Sequence, residues 1–178
     1  QQGMSVALVA ALFERAELVI RLVVDPAGQI VGLFFQPKPP STDWAPPPYA
    51  DPATFDERAV VVGSQPGLPG VLSMPKGAGA GVAAVVLVHG SGPNDQDESV
   101  GGARVFKDLA WGLATRGIAV VRYVKRTRHS PAGVVTQKEE VVDAVRDAAE
   151  LLRATAGVDP ARIFVLGHSQ GGYLAPRI

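Results

Sequence analysis

The chain has 178 residues, 47% of them hydrophobic and 19% charged, which supplies a buried core and excludes a disordered tail. Lysine plus arginine equal aspartate plus glutamate at 17 each, so no net basic surface points to nucleic acid or to an anionic membrane. There is no cysteine, which excludes disulfides, thiolate metal sites and a cysteine nucleophile.

The chain opens on Gln-Gln-Gly rather than methionine, which reads as a processed or excerpted start. The apolar run from Val6 to Phe13 is too short to span a membrane. It has neither the preceding basic residue nor the following small-residue pattern of a signal peptide, and it reads as a buried strand. In the next run Leu18, Ile20, Leu22 and Val24 fall on one face, with Glu17, Val19, Arg21 and Val23 on the other. Asp25-Pro26-Ala27-Gly28 is a turn, and "QIVGLFF" is the return strand. Residues 1–36 therefore read as the end of a small antiparallel sheet. Prolines crowd residues 37–52, which favours extended backbone and a semi-rigid linker.

From residue 53 the pattern changes. Two short strands, "AVVVG" and "GVLSMP", flank a turn-rich segment. Val82 to Gly90 is an unbroken apolar run of the kind found in a strand covered on both faces. A helix follows, with Phe106, Leu109 and Leu113 on one face and Gly117 as its stop. "IAVVRY" is another buried strand, followed by the basic group Lys125, Arg126, Arg128 and His129, read as a solvated or site-lining loop. Thr136 and Glu139 make a capping-box pair for a helix that buries Val141, Val145, Ala148 and Leu152 and ends at Gly157 and Pro160. "RIFVLG" reads as a further buried strand. Alternating strands and helices predict a parallel α/β sheet over residues 53–178.

The last strand runs into Gly167-His168-Ser169-Gln170-Gly171, and the residues after it can open a helix. Strand, tight turn and helix around G-x-S-x-G is the setting of a nucleophilic serine. Ser169 would sit at a strained apex, where side chains at residues 167 and 171 would collide, hence the two glycines. A second glycine-containing loop, "HGSGPND", follows the strand that begins at Val82. A backbone N–H there, with that of Gln170, would form an oxyanion hole. Ser91 is the expected donor and Gly90 the nearest alternative, with His89 positioning the loop.

The segments "GLFFQP", "PPPYADP", "HGSGPNDQDE", "FKDLAWGLATRGIAVVRYVKRT" and "GHSQGGYLAPRI" resemble the α/β-hydrolases related to dienelactone hydrolase and the prolyl-oligopeptidase group. More narrowly they are similar to bacterial esterases in which a small N-terminal α+β domain precedes the hydrolase domain, which implies that residues 1–36 are the end of such an antiparallel N-terminal domain. The likeness implies Ser169 as nucleophile, the backbone of Ser91 and Gln170 as oxyanion hole, esters of small or medium acyl groups as substrates, and no cofactor or metal. Val124 departs from it, because relatives commonly carry aspartate there.

In this fold the acid and the histidine follow the serine in chain order. After Ser169 the residues are Gln, Gly, Gly, Tyr, Leu, Ala, Pro, Arg and Ile, none of which can serve. His168 reads as packed structure, and His129 shares the rim with Ser169. Asp95, Asp97 and Glu98 resemble a metal cluster, but no histidine is suitably spaced, so a solvated loop or a salt bridge with Arg104 is expected. The sheet is therefore expected to be incomplete, with a second chain or a homo-oligomer completing the fold. Two expectations follow: a cytoplasmic ester hydrolase whose acid and histidine lie outside this sequence, or an inactive module used for binding or assembly.

Overall fold

The computed structural model describes residues 3–37, 43–77, 79, 81–130 and 136–178, so part of the proline-rich linker lies outside the described residues. The chain divides into two compact units, residues 1–44 and 45–178. In the first, β1 (Ser5–Leu12), β2 (Glu17–Val24) and β3 (Ile30–Pro37) form an antiparallel sheet in the order β1-β2-β3. The Asp25 carboxylate accepts the Ala27 and Gln29 amides at 2.9 Å each, and Gly28 takes φ +81°. That bonding makes the β2–β3 turn, and glycine alone enters its left-handed position without strain. The expectation of a buried first strand is corrected: β1 forms, but Val6, Leu8 and Leu12 are exposed. It is the edge of a three-stranded sheet and has one neighbour.

In the second unit β4 (Phe55–Val62) and β5 (Leu68–Pro75) form a hairpin, and β6 (Val82–Val88) starts the alternating part. A two-residue pair, β7 (Ser99–Val100) and β8 (Ala103–Arg104), leads into α1 (Val105–Thr115) and β9 (Ala119–Tyr123). The short α2 (Arg126–His129), α3 (Asp143–Arg153), β10 (Val158–Gly167) and α4 (Gln170–Leu174) follow. The sheet order is β10-β6-β9-β5-β4. Strands β10, β6 and β9 are parallel, while β5 meets β9 antiparallel and β4 meets β5 antiparallel. The sheet is thus mixed, a parallel α/β core continued by an antiparallel hairpin.

Alternation in β6 builds two cores. Ala84, Val86 and Val88 face the layer of α3, with Val141, Val145, Ala148 and Leu152. Val85 and Leu87 face the layer of α1, with Phe106 and Ala110. Thr136 and Glu139 do exchange capping-box bonds, Thr136 N–H to Glu139 Oε2 at 2.9 Å and Glu139 N–H to Thr136 Oγ1 at 3.2 Å. The helix they open begins with a π turn over Lys138–Val142. At the end of α1 the Ile118 amide bonds Leu113 and the Gly117 amide bonds Ala114, the paired closure that places a left-handed glycine after a helix. Strand β10 corrects a second expectation of burial. Ile163 and Val165 pack on the α3 side, but Phe164 and Leu166 are 57% and 38% exposed. They align with Val85 and Leu87 on the α1 face, and α1 lies over β9 and β5 instead.

Candidate active site at the ends of three parallel strands

Register brings the site together. Gly167 pairs with Val88 and the His168 amide bonds the Val88 carbonyl, so residues 168–170 lie beside residues 89–91. Strand β9 flanks β6 on its other side, with Val121 beside Val86, and delivers Val124 and Lys125 to the same end.

Ser169 sits between β10 and α4 with φ 51° and ψ −116°. A serine there is strained, and such strain persists only where its surroundings hold it. They do. A β-carbon at Gly167 would fall 2.2 Å from the Gly171 carbonyl carbon, and one at Gly171 would fall 2.3 Å from the Val88 oxygen. The expected collision is therefore real, and Gly171 also lets α4 touch β6. Ser169 is exposed.

The loop after β6 is held from within. The Gly90 amide donates to Glu98 Oε1 at 2.7 Å, which removes Gly90 as a free donor. The Asn94 side chain donates to the Gly90 and Ser91 carbonyls at 3.1 and 3.3 Å. A β-carbon on Gly90 would lie 3.4 Å from Ser169 Cβ, so this loop adjoins the serine. Neither the Ser91 nor the Gln170 amide donates to a protein acceptor among the described residues.

The acidic loop is not solvated. Asp97 and Glu98 are 8% and 3% exposed. Asp97 bonds the buried Arg122 at 2.8 Å and meets Arg104 at 3.7 Å, the latter as expected. Arg122 also reaches Glu57 at 2.7 Å and Ser73 at 3.1 Å, which ties this loop to the β4–β5 hairpin. Glu98 takes φ 47°, and its Oε1 accepts from Gly90 and His168 while its Oε2 is buried without a partner among the described residues.

None of the histidines bonds the Ser169 hydroxyl among the described residues. His89 donates from Nε2 to the Tyr123 carbonyl and packs on the Phe106 and Tyr123 rings. Burial holds its pKa below 6.5, against the opposing effects of the Tyr123 carbonyl and the Glu98 charge, and its Nδ1 has no hydrogen-bond partner among the described residues. Its contacts tie the end of β6 to β9 and α1. His168 Nδ1 lies 3.1 Å from Glu98 Oε1. His129 is exposed at the end of α2. Among the described residues no group of three histidine or acidic side chains could hold a metal.

Lys125, expected in a solvated or site-lining loop, is 1% exposed and bonds Gly90, Gln170 and Glu140. The sequence reading misses Arg122 and Glu98 beside the candidate site, while Lys125 stands in the loop it takes as solvated or site-lining. A signal existed for Arg122 and Lys125: a cation inside or directly after an apolar strand must find a partner.

No family model matches the sequence. It is 43% identical over 169 residues to Esterase EstD of Thermotoga maritima, covering 93% of this chain and 39% of that protein. A puromycin-hydrolyzing peptidase of Mycobacterium tuberculosis superposes with a TM-score of 0.53 at 21% identity, over 97% of this chain and 26% of the other. A prolyl endopeptidase does so at 0.50 and 18%, over 95% and 24%. The chain has the α/β-hydrolase fold. It spans 39% of the length of the curated esterase it matches. In this fold the strained serine stands at the C-terminal end of a parallel strand, where open α/β sheets put their ligands.

Proposed function

We propose that the protein is a serine hydrolase that cleaves carboxylic esters through an acyl-enzyme on Ser169. Its acid and histidine would come from residues outside this sequence. The observation that carries this reading is Ser169 itself, at φ 51° between β10 and α4 with the Gly90–Ser91 loop against it. That strained backbone destabilises the fold and is of use only if a hydroxyl must be presented. The 43% identity to an esterase supports esters as substrates.

The proposed steps are those of acyl transfer through a serine. A histidine accepts the Ser169 proton as Oγ attacks the ester carbonyl. The negative charge on the carbonyl oxygen is met by the amides of Ser91 and Gln170, each of which contributes about 3–4 kcal/mol to the transition state. The alkoxide leaves as the alcohol, taking that proton, and water then attacks the acyl-enzyme by the same route. The substrate is a small-molecule ester, and the mechanism calls on no cofactor.

The test is turnover of p-nitrophenyl acetate by the full-length protein and its Ser169→Ala variant. Loss of the serine should lower kcat by on the order of 10⁴- to 10⁶-fold. Turnover within tenfold of wild type would remove Ser169 as the nucleophile.

A further inference from the structure

An ammonium taken out of water must be both paired and hydrogen-bonded. Lys125, with a side chain 2% exposed, meets both demands. Its Nζ donates to the Gly90 carbonyl at 2.7 Å and to Gln170 Oε1 at 3.2 Å, and it pairs with Glu140 at 3.2 Å. Three protons find three acceptors. Glu140 is itself held by the Thr127 hydroxyl at 2.8 Å.

The Gly90 carbonyl belongs to the same planar peptide as the Ser91 N–H. In a trans peptide the two point in opposite directions, so fixing one aims the other. A strong donor on the carbonyl also polarises the N–H and makes it a better donor in turn. Gln170, the other acceptor, carries the second proposed N–H. We infer that Lys125 is a positioning residue of the oxyanion hole, orienting the Gly90–Ser91 peptide through its carbonyl and tying it to Gln170. This rests on the reading of Ser169 as a nucleophile. Glu98 completes the clamp by holding the Gly90 amide on the other side of the same residue.

The experiment compares Ser169→Ala, Lys125→Met and Lys125→Met/Glu140→Gln in the full-length protein. The double variant avoids stranding the Glu140 carboxylate, so a folding defect caused by that charge alone is relieved. Each variant is assayed for kcat and KM on p-nitrophenyl acetate, for affinity to a trifluoromethyl ketone that forms a tetrahedral oxyanion on serine, and for its melting temperature. Both lysine variants should lose about 10- to 100-fold in kcat, short of the 10²- to 10³-fold that removal of a donor brings. KM should stay within threefold, and affinity for the ketone should fall by the same factor as kcat. The proposal is overturned, with the serine reading intact, if Ser169→Ala is inactive while the double variant folds and keeps wild-type kcat. The serine reading falls, and the proposal with it, if Ser169→Ala keeps its turnover.

Discussion

A β-carbon on Gly171 would lie 2.3 Å from the Val88 carbonyl oxygen and 2.7 Å from that of His89. Both contacts are to backbone, so no side chain can swing aside to relieve them. Either α4 withdraws from β6 or the loop at residues 88–90 is pushed out, and both movements displace Ser169 from the Ser91 amide. Gly171→Ala should therefore destabilise the protein by about 1–3 kcal/mol, as overpacking does. It should also lower kcat at least tenfold at a temperature where the variant is fully folded, because small misplacements of reacting groups are expensive in rate. Urea denaturation and initial rates on p-nitrophenyl acetate measure the two effects. A variant with the wild-type midpoint and rate would mean that the close approach has no consequence. The need for glycine here was legible in the sequence, since the spacing around Ser169 encodes a backbone constraint that holds wherever such a turn is built. The role of Glu98 was not, because it depends on a left-handed loop conformation that no local pattern announces.

At the scale of elements, the longer helices and strands followed from apolar periodicity, the stop of α1 from Gly117 and the opening of the helix before α3 from the Thr136–Glu139 box. By contrast, α3 ends at Arg153, short of Gly157, and Pro160 lies within β10. What periodicity did not reveal is which strands are covered. Burial of a strand is decided by its neighbours, and Phe164 and Leu166 look the same in sequence whether or not a helix lies over them. Periodicity was equally silent on the polar network that crosses three elements: Arg122 on β9, Glu57 on β4 and Asp97 in the loop before α1. Burial pushes the Glu57 carboxyl up, but the hydrogen bond and charge of Arg122, with the Ser73 hydroxyl, outweigh it and hold the group below 4.5. A carboxyl depressed in the folded state binds fewer protons there than in the unfolded chain. Its stabilisation is complete above about pH 4.5 and is lost as the pH falls through the folded value. Glu57→Gln should melt below wild type at pH 7, and the gap should narrow as the pH drops from 4.5 to 3. Thermal melts of both proteins across that range provide the check, and a constant gap would contradict the assignment.

At the scale of the whole molecule, the even balance of 17 basic and 17 acidic residues is partly spent inside, on Arg122 and Lys125, where charge fixes loops rather than attracting partners. The apolar surface behaves differently. Strand β10 is an edge of the five-stranded sheet, so one side of its backbone offers unpaired N–H and C=O groups. Beside that edge stand Phe164 and Leu166, on the part of the face that α1 does not reach. An open edge next to uncovered aromatic and aliphatic side chains is a template for strand addition, and exposed patches of this kind mark association sites. The 178-residue chain expressed by itself should therefore self-associate through β10. Light scattering on the eluting species should give a mass well above the 18.6 kDa of one copy. Phe164→Ser together with Leu166→Ser should shift it toward the monomer, because the pair removes the apolar gain and leaves the α3-side core untouched. Elution of the unaltered chain as a uniform 18.6 kDa species would show that the edge needs no cover. Self-association unaffected by the double substitution would transfer the role to the exposed residues of the N-terminal sheet, among them Phe34 and Phe35.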